Sequence, residues 1–208
     1  MESAMVGGSF DPIHRGHIHL IHTVAARTPF RRFILVPVNQ NHFKPGAQPA
    51  AAAHRLAMAK LAVSEYPALY PADPSLEFII DDCEITRPGP SYTYDTVKEL
   101  YLKYSIKGRL GLLLGDDLLS HLKEWYHYPE LKELVRFIVI RREDSVIEFN
   151  DLAADLFYLD NPTVEESSTN IRNALGKLKT GQVLEPALEK LMTPRVAQYV
   201  YEHRLYRA

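Results

Sequence analysis

The sequence predicts an α/β fold, a doubly wound parallel sheet with a small C-terminal helical extension, and three observations point to it. Short, almost wholly apolar runs such as Phe33-Ile34-Leu35-Val36 and Phe137-Ile138-Val139-Ile140 recur along the chain, as strands covered on both faces require. Segments of helical spacing lie between them, and a helix between successive strands is the usual parallel crossover. The unusual residues (glycines, histidines, paired acids and serines) fall just after the ends of the predicted strands. Ligands of such sheets bind beyond the C-terminal strand ends.

Taken in order, Ala4 to Val6 reads as the first strand, and Gly7 to His17 as a glycine turn leading into a helix that starts with two histidines. Ile18, Ile21, Val24 and Ala25 continue that helix to Ala26 on neighbouring faces. Phe33 to Pro37 is the second strand, followed by a polar, proline-broken loop from Val38 to Ala52 that carries Asn39, Asn41, His42 and Lys44. His54 to Ala62 is helical, and Leu76 to Ile80 is the third strand, closed by Asp81, Asp82 and Cys83. Ser91-Tyr92-Thr93 ends the next loop, where a hydroxyl can cap a helix over 94–103. Leu110 to Leu114 is the fourth strand, Gly115-Asp116-Asp117 leads a helical pattern through Trp125, and Phe137 to Ile140 and Leu156 to Leu159 are the fifth and sixth strands. Ser167-Ser168-Thr169 opens a helix through Leu178, a turn contains Gly181, and Thr193-Pro194 starts the last helix. Residues 1–208 thus read as a single domain whose residues 167–208 form a C-terminal helical portion.

At 208 residues with 46% hydrophobic and 24% charged residues, the chain is long enough to bury a sizeable core. A formal net charge of -2 speaks against a broad electrostatic grip on duplex nucleic acid, so any anion must be met locally. The single cysteine, Cys83, excludes an internal disulfide, suits a reducing compartment and reads as a packing residue. No apolar run approaches the roughly 20 residues of a membrane span, and no signal-peptide pattern opens the sequence, so a cytoplasmic protein is expected.

Strand, turn and helix N-terminus together make a natural phosphate site, because the first helical N–H groups lack internal partners. His14 and His17, three apart, project to one side of a helix start as phosphate donors would. A zinc pair is the competing chemistry, and no third ligand with suitable spacing lies nearby. His19 and His22 read as solvated or half-buried helix residues. Ser167 to Arg172 reads either as a capped helix, with Ser168 or Thr169 satisfying free N–H groups, or as hydroxyls and a guanidinium presented to an anion. Asp116 and Asp117 are either an acid pair for Mg²⁺ or the cap and first-turn acid of a helix. Asp81, Asp82 and Glu84 resemble a metal-binding acid run, with strand-end solvation the preferred reading. Trp125, the only tryptophan, is by default packing material, and Arg142 beyond the fifth strand either reaches a phosphate or is solvated.

Gly7-Gly8-Ser9-Phe10-Asp11-Pro12-Ile13-His14-Arg15-Gly16-His17 resembles the GG-T/S-FDP-x-H-x-GH signature of nucleotidyltransferases that share the Rossmann-like, HIGH-type fold of class I aminoacyl-tRNA synthetases. Ser91 to Thr96, Gly115-Asp116-Asp117 with Trp125-Tyr126, and Ser167-Ser168-Thr169-Asn170-Ile171-Arg172 are similar, in the same order, to motifs of bacterial nicotinate-nucleotide adenylyltransferases. The resemblance implies transfer of AMP from ATP to nicotinate mononucleotide. It implies that His14, His17 and Arg172 act on the ATP phosphates, with Gly8, Ser9, Phe10 and Gly16 in the same cradle, Ser168 and Thr169 at the ATP tail, and Gly115 and Asp117 at the nucleotide, Asp117 holding a ribose hydroxyl or orienting the nucleotide. It further implies Lys44 as a phosphate contact of the acceptor, and Thr93, Trp125 and Tyr126 as contacts of its pyridine carboxylate and ring; Arg142, by its place beyond the fifth strand, is counted among the acceptor's candidate contacts. Mg²⁺ would come bound mainly through ATP phosphates, with no protein metal site, and the partners would be ATP and nicotinate mononucleotide, without nucleic acid or membrane; a homo-oligomer stays open.

Two positions depart from the family pattern. Glu166 stands where an apolar residue usually precedes the serines, and Phe43 stands where a histidine precedes the lysine, with His42 shifted by one. Arg87 follows the family's acidic-then-arginine pattern, which implies structural pairing. Acceptors such as nicotinamide mononucleotide or phosphopantetheine, and a nucleotide-sensing module without turnover, are the alternatives.

Overall fold

The apolar runs form six strands: β1 (Glu2–Gly8), β2 (Phe30–Pro37), β3 (Glu77–Ile80), β4 (Leu110–Gly115), β5 (Val135–Arg141) and β6 (Leu156–Asp160). All neighbours pair in parallel, in the order β3-β2-β1-β4-β5-β6. This is the doubly wound arrangement, in which the strand order reverses between β1 and β4. The structure is a computed structural model and describes residues 1–39, 49–72, 76–141, 149–160, 167–177 and 190–207. The helices among these residues are α1 (Arg15–Arg27), α2 (Ala52–Ser64), α3 (Tyr66–Leu69), α4 (Cys83–Thr86), α5 (Thr93–Tyr104), α6 (Tyr128–Leu134), α7 (Ser168–Gly176) and α8 (Pro194–Glu202), with a 3₁₀ segment over Asp116–Glu124.

The chain forms two compact units, each assembled from three separate stretches. The first, Met1–Gly8, Thr23–Val38 and Leu76–Thr163, contains the whole sheet. Its core shows the strand period directly: Met5, Ile34, Val36, Leu110, Leu112, Leu114, Val135, Phe137 and Val139 lie in one cluster with Val97, Leu100, Leu119, Leu122 and Leu131 of the covering helices. The alternate residues Ala4, Val6, Phe33, Leu35, Leu113, Ile138 and Ile140 are buried too, which is why these strands read as continuous apolar runs. Gly111 is required by close approach, since a Cβ there would sit 2.8 Å from Phe30 Cζ and 3.0 Å from both Ala4 Cβ and Ile138 Cδ1.

The second unit comprises Ser9–His22, Asn39–Ser75 and Val164–Ala208. In it α2 and α8 pack together, with the Tyr199 hydroxyl 3.0 Å from His54 Nδ1. The Glu65 carboxylate accepts the Arg195 N–H at 3.1 Å and so caps the start of α8. His22 stacks on Tyr70 at 3.8 Å and bonds Tyr66, while His19 bonds Tyr70, so both histidines are half-buried members of an aromatic cluster.

Three short helices, α3, α4 and α6, have no strong sequence signal, because four to seven residues show less than two helical turns of periodicity. The helical pattern after Gly115 is 3₁₀, and its buried residues Asp116, Leu119 and Leu122 recur at the matching interval of three. Gly181 lies outside the described residues.

Candidate active site

The glycines at the start of the signature are not a turn. Gly7 and Gly8 are the last two residues of β1, paired in register with Val36 and Pro37 of β2, and neither has a positive φ. The left-handed conformation falls instead on Phe10 (φ 47°), whose ring is fully buried and lies edge-on to His17 at 5.3 Å. A cis Asp11–Pro12 bond follows, and α1 begins four residues after Asp11.

The two signature histidines meet at this helix start, with ring centroids 3.9 Å apart. The His14 backbone N–H donates to His17 Nδ1 at 3.2 Å. That bond needs an unprotonated Nδ1, and so places the His17 ring proton on Nε2. His14 is buried, and burial pulls its pKa down to about 4, so its imidazole is neutral at pH 7. Its Nδ1 is buried without a hydrogen-bond partner among the described residues, an arrangement that costs free energy until a ligand or water supplies one. Arg15, between them, is spent on anchoring, through its backbone N–H to Leu191 O and its Nε to Met192 O, both at 2.9 Å.

The second anion motif docks on the same turn. Ser168 Oγ donates to the Pro12 carbonyl at 3.0 Å, and Arg172 Nη1 donates to the Asp11 carbonyl at 2.6 Å. Arg172 Nη2 also donates to Thr169 Oγ1 at 3.2 Å. The helix cap is therefore Ser167, whose Oγ accepts the Asn170 N–H at 3.1 Å. Ser168 and Thr169, the cap candidates in the sequence, are engaged elsewhere. Arg55, buried in α2, also ties the turn by donating to Ser9 O at 2.9 Å and Ala50 O at 3.1 Å.

In the first unit, Thr93 opens α5, and no side chain caps that helix among the described residues; Tyr92 stands at the cap position. The expected Ser91-to-Thr93 hydroxyl cap is absent because Ser91 Oγ, though buried, makes no hydrogen bond among these residues. A twelve-residue helix with uncapped N–H groups and an unpartnered hydroxyl beside them suits an anionic group. Trp125 ends the 3₁₀ segment half-buried against the sheet core. Tyr126 is exposed and its ring lies 4.5 Å from that of Tyr92, with Tyr94 stacked on His127 at 4.8 Å. Gly115 closes β4 in the buried sheet, Asp116 is buried and Asp117 is exposed.

Two buried polar networks hold α5 in place. The Thr96 hydroxyl donates to Glu84 at 2.8 Å and accepts from Arg87 at 3.0 Å, while Arg87 also donates to Glu99 at 2.6 Å. The Asp81 side chain is wholly buried and accepts from Lys103 at 2.7 Å, the Cys83 N–H at 2.9 Å and the Tyr104 hydroxyl. Burial alone would raise the Asp81 pKa, but the hydrogen bonds from Lys103, Tyr104 and Cys83 outweigh it and hold the carboxyl at about 2. Solvation at the strand end is thus wrong for Asp81 and Glu84: both are buried and bonded, and only Asp82 is exposed. Burial and then the hydrogen bond to Asp81 push the Cys83 thiol well up, which makes it an inert packing residue.

Lys44, with His42 and Phe43, and Arg142 lie outside the described residues, as does Glu166. Asp11 and Arg55 were not singled out by the sequence reading, although Asp11 stands inside the quoted signature. Arg55 gives no sequence signal, since its role depends on a carbonyl 46 residues away.

A parallel sheet whose order reverses between β1 and β4, with a phosphate-type helix start following β1, defines a nucleotide-handling α/β protein. The Cytidylyltransferase-like family matches residues 5–174, which makes it a nucleotidyltransferase. A relative from Dehalococcoides mccartyi is 34% identical over 99% of this chain and 97% of its own length, and one from Lactococcus lactis is 31% identical over 98% and 94%; both carry the name nicotinate-nucleotide adenylyltransferase. A solved structure of Plasmodium falciparum nicotinic acid mononucleotide adenylyltransferase complexed with NaAD superposes with a TM-score of 0.73 at 19% identity, covering 99% of this chain and 97% of that one, a likeness of fold. The chain belongs to the nicotinate-nucleotide adenylyltransferase family.

Proposed function

We propose that this chain transfers the adenylyl group of ATP to nicotinate mononucleotide, giving nicotinate adenine dinucleotide and pyrophosphate, a late step of NAD synthesis. The observation that carries the reading is the docking of two anion-binding motifs, 156 and 161 residues apart, on one Asp11–Pro12 turn.

In this reaction an acceptor phosphate oxygen attacks the α-phosphorus in line, and the bond from that phosphorus to the bridging oxygen of pyrophosphate breaks. The protein need only position the reactants and stabilise charge growing on the leaving group, so no covalent nucleophile is needed. His17, with its proton on Nε2, and His14, neutral before the nucleotide binds, act as N–H donors to the phosphates. His17 is assigned the main role on the leaving pyrophosphate. Ser168, Thr169 and Arg172 take the ATP tail; Gly8, Ser9, Phe10 and Gly16 line the phosphates, and Gly115 and Asp117 orient the nucleotide. Thr93 and the α5 N–H groups take the nicotinate carboxylate, opposite the Tyr126 backbone, and Trp125 takes the ring. Lys44 and Arg142 are assigned to the acceptor phosphate.

Mg²⁺ bound mainly through the ATP phosphates would offset their negative charge during transfer. Among the described residues no three His, Cys, Asp or Glu side chains gather to hold a metal ion. No helix among them is long and apolar enough to cross a membrane, and a cytoplasmic enzyme is proposed. Residues 1–208 are taken as one catalytic domain, since the chain passes repeatedly between the two units and both carry assigned residues. A homo-oligomer stays open, and neither nucleic acid nor a membrane has a part in the reaction.

The test is pyrophosphate release from ATP with nicotinate mononucleotide, nicotinamide mononucleotide or phosphopantetheine as acceptor. The nicotinate acceptor is expected to be preferred, and equal rates with all three would refute the assignment. His17→Ala is expected to reduce turnover by 10²-fold or more, on the order of other oxyanion donors; an unchanged kcat would remove His17 from the mechanism.

A further inference from the structure

The Asp11–Arg172 contact has a third member at the other end of the chain. The Tyr206 hydroxyl donates to Asp11 Oδ1 at 2.8 Å, and the same oxygen accepts the Ala50 N–H at 2.9 Å. With Oδ1 holding two donors, Arg172 Nη1 stands 3.6 Å from Oδ2 and makes its close bond to the Asp11 carbonyl instead. A buried carboxylate with both oxygens open to a guanidinium would be expected to form a two-bond fork and occupy one edge of it.

The tail is shaped for this contact. After α8 the Leu205 N–H returns to Val200 O at 3.1 Å and the Arg204 N–H to Tyr201 O at 3.2 Å. Arg204 (φ 50°) and Tyr206 (φ 64°) both adopt the left-handed conformation that side chains disfavour. Such backbone persists only where surrounding contacts over-determine it. Burial, then the Asp11 charge and hydrogen bond, push the Tyr206 phenol well up, so it remains a protonated donor across the working pH range.

We propose that Tyr206 is a positioning residue for ATP: its hydroxyl holds Asp11 Oδ1, keeps Arg172 on the Asp11 carbonyl, and so leaves further N–H groups of the guanidinium to the triphosphate. This role rests on the adenylyl-transfer reading above for its kinetics, and on ATP binding alone for its affinity.

The experiment compares the full chain with Tyr206→Phe. The KM for ATP is expected to rise about 5- to 10-fold, the scale of the net contribution of one ordinary hydrogen bond, with kcat and the KM for nicotinate mononucleotide unchanged. Calorimetric affinity for a non-hydrolysable ATP analogue should weaken by the same factor. In an Arg172→Lys background, where no two-bond fork to Asp11 can form, Tyr206→Phe should have no further effect. An unchanged ATP affinity, an equal rise in both KM values, or full additivity with Arg172→Lys would each overturn the role. If the wild-type chain releases no pyrophosphate with nicotinate mononucleotide, the proposed reaction fails, while the calorimetric comparison still decides the part played by Tyr206.

Discussion

Acid should weaken the nucleotide-free fold through His14 before it titrates any carboxylate network. The folded pKa of His14 is about 4 against an ordinary 6.5, because burial disfavours the imidazolium. Between those values the unfolded chain binds the more protons, so stability rises with pH across the window, is fully present above 6.5, and is lost as pH falls toward 4. A shift of this size corresponds to about 3 kcal/mol between pH 7 and pH 4, a sizeable part of a typical 5–15 kcal/mol stability. Asp81 acts lower down: its folded pKa of about 2 lies below the ordinary 3.8, so its contribution is complete above 3.8 and is lost only between 3.8 and 2. His14→Asn removes the titration and keeps a side chain that is polar and neutral. Denaturant unfolding of wild type and His14→Asn at half-unit steps from pH 7 to 4 isolates the residue, because all other groups cancel in the difference. The wild type should lose about 3 kcal/mol more than the variant over that range. Parallel stability curves would refute the burial argument, and with it the neutral state assigned to His14 before ATP binds.

Gly111→Ala should lower stability by about 1–3 kcal/mol, because its Cβ would strike Phe30, Ala4 and Ile138 inside the sheet; urea unfolding checks it, and a midpoint at or above that of the wild type contradicts it. Thr96→Val keeps the shape but removes the hydroxyl shared by Glu84 and Arg87. A loss of about 1–3 kcal/mol is expected from the stranded partners. The KM for nicotinate mononucleotide should rise with it, since Thr93 opens the helix that this network holds, while ATP-analogue affinity stays unchanged.

Elements whose signal is local were legible in the sequence. The six strands announced themselves as apolar runs because both sheet faces are covered, and α1, α2, α5, α7 and α8 showed in their spacing or end signals. The conformation of the first motif did not show. Two adjacent glycines suggest a turn, yet Gly7 and Gly8 continue β1 and the turning is done at Phe10, whose positive φ is held by a buried ring. Nor did the fate of the hydroxyls: Ser168 and Thr169 read as the cap candidates, yet Pro12 and Arg172 claim them and Ser167 caps the helix. Asp81 and Glu84 looked solvated because their side-chain partners lie 12 to 23 residues away. Tyr206 is beyond any local reading, being 195 residues from Asp11.

The side chains of Ser168, Arg172 and Arg55 reach residues 9–12 through one kind of contact, which explains this pattern. Ser168, Arg172 and Arg55 all bond backbone carbonyls, those of Pro12, Asp11 and Ser9. A carbonyl is presented by the path of the chain and not by residue type, so its use leaves no trace at the accepting position. What the sequence must supply there is a residue that holds the turning conformation, and in this chain that is Phe10: buried, left-handed, and lying against the ring of His17. Its left-handed conformation costs on the order of 1–2 kcal/mol, comparable to the roughly 1.5–3 kcal/mol gained by burying a phenylalanine ring. Glycine would satisfy the same φ without the cost, but it would lose the ring that sets where His17 stands. The apolar residue in the middle of an otherwise polar motif is therefore a geometric requirement of the histidine, and the carbonyls that anchor Arg172 follow from it.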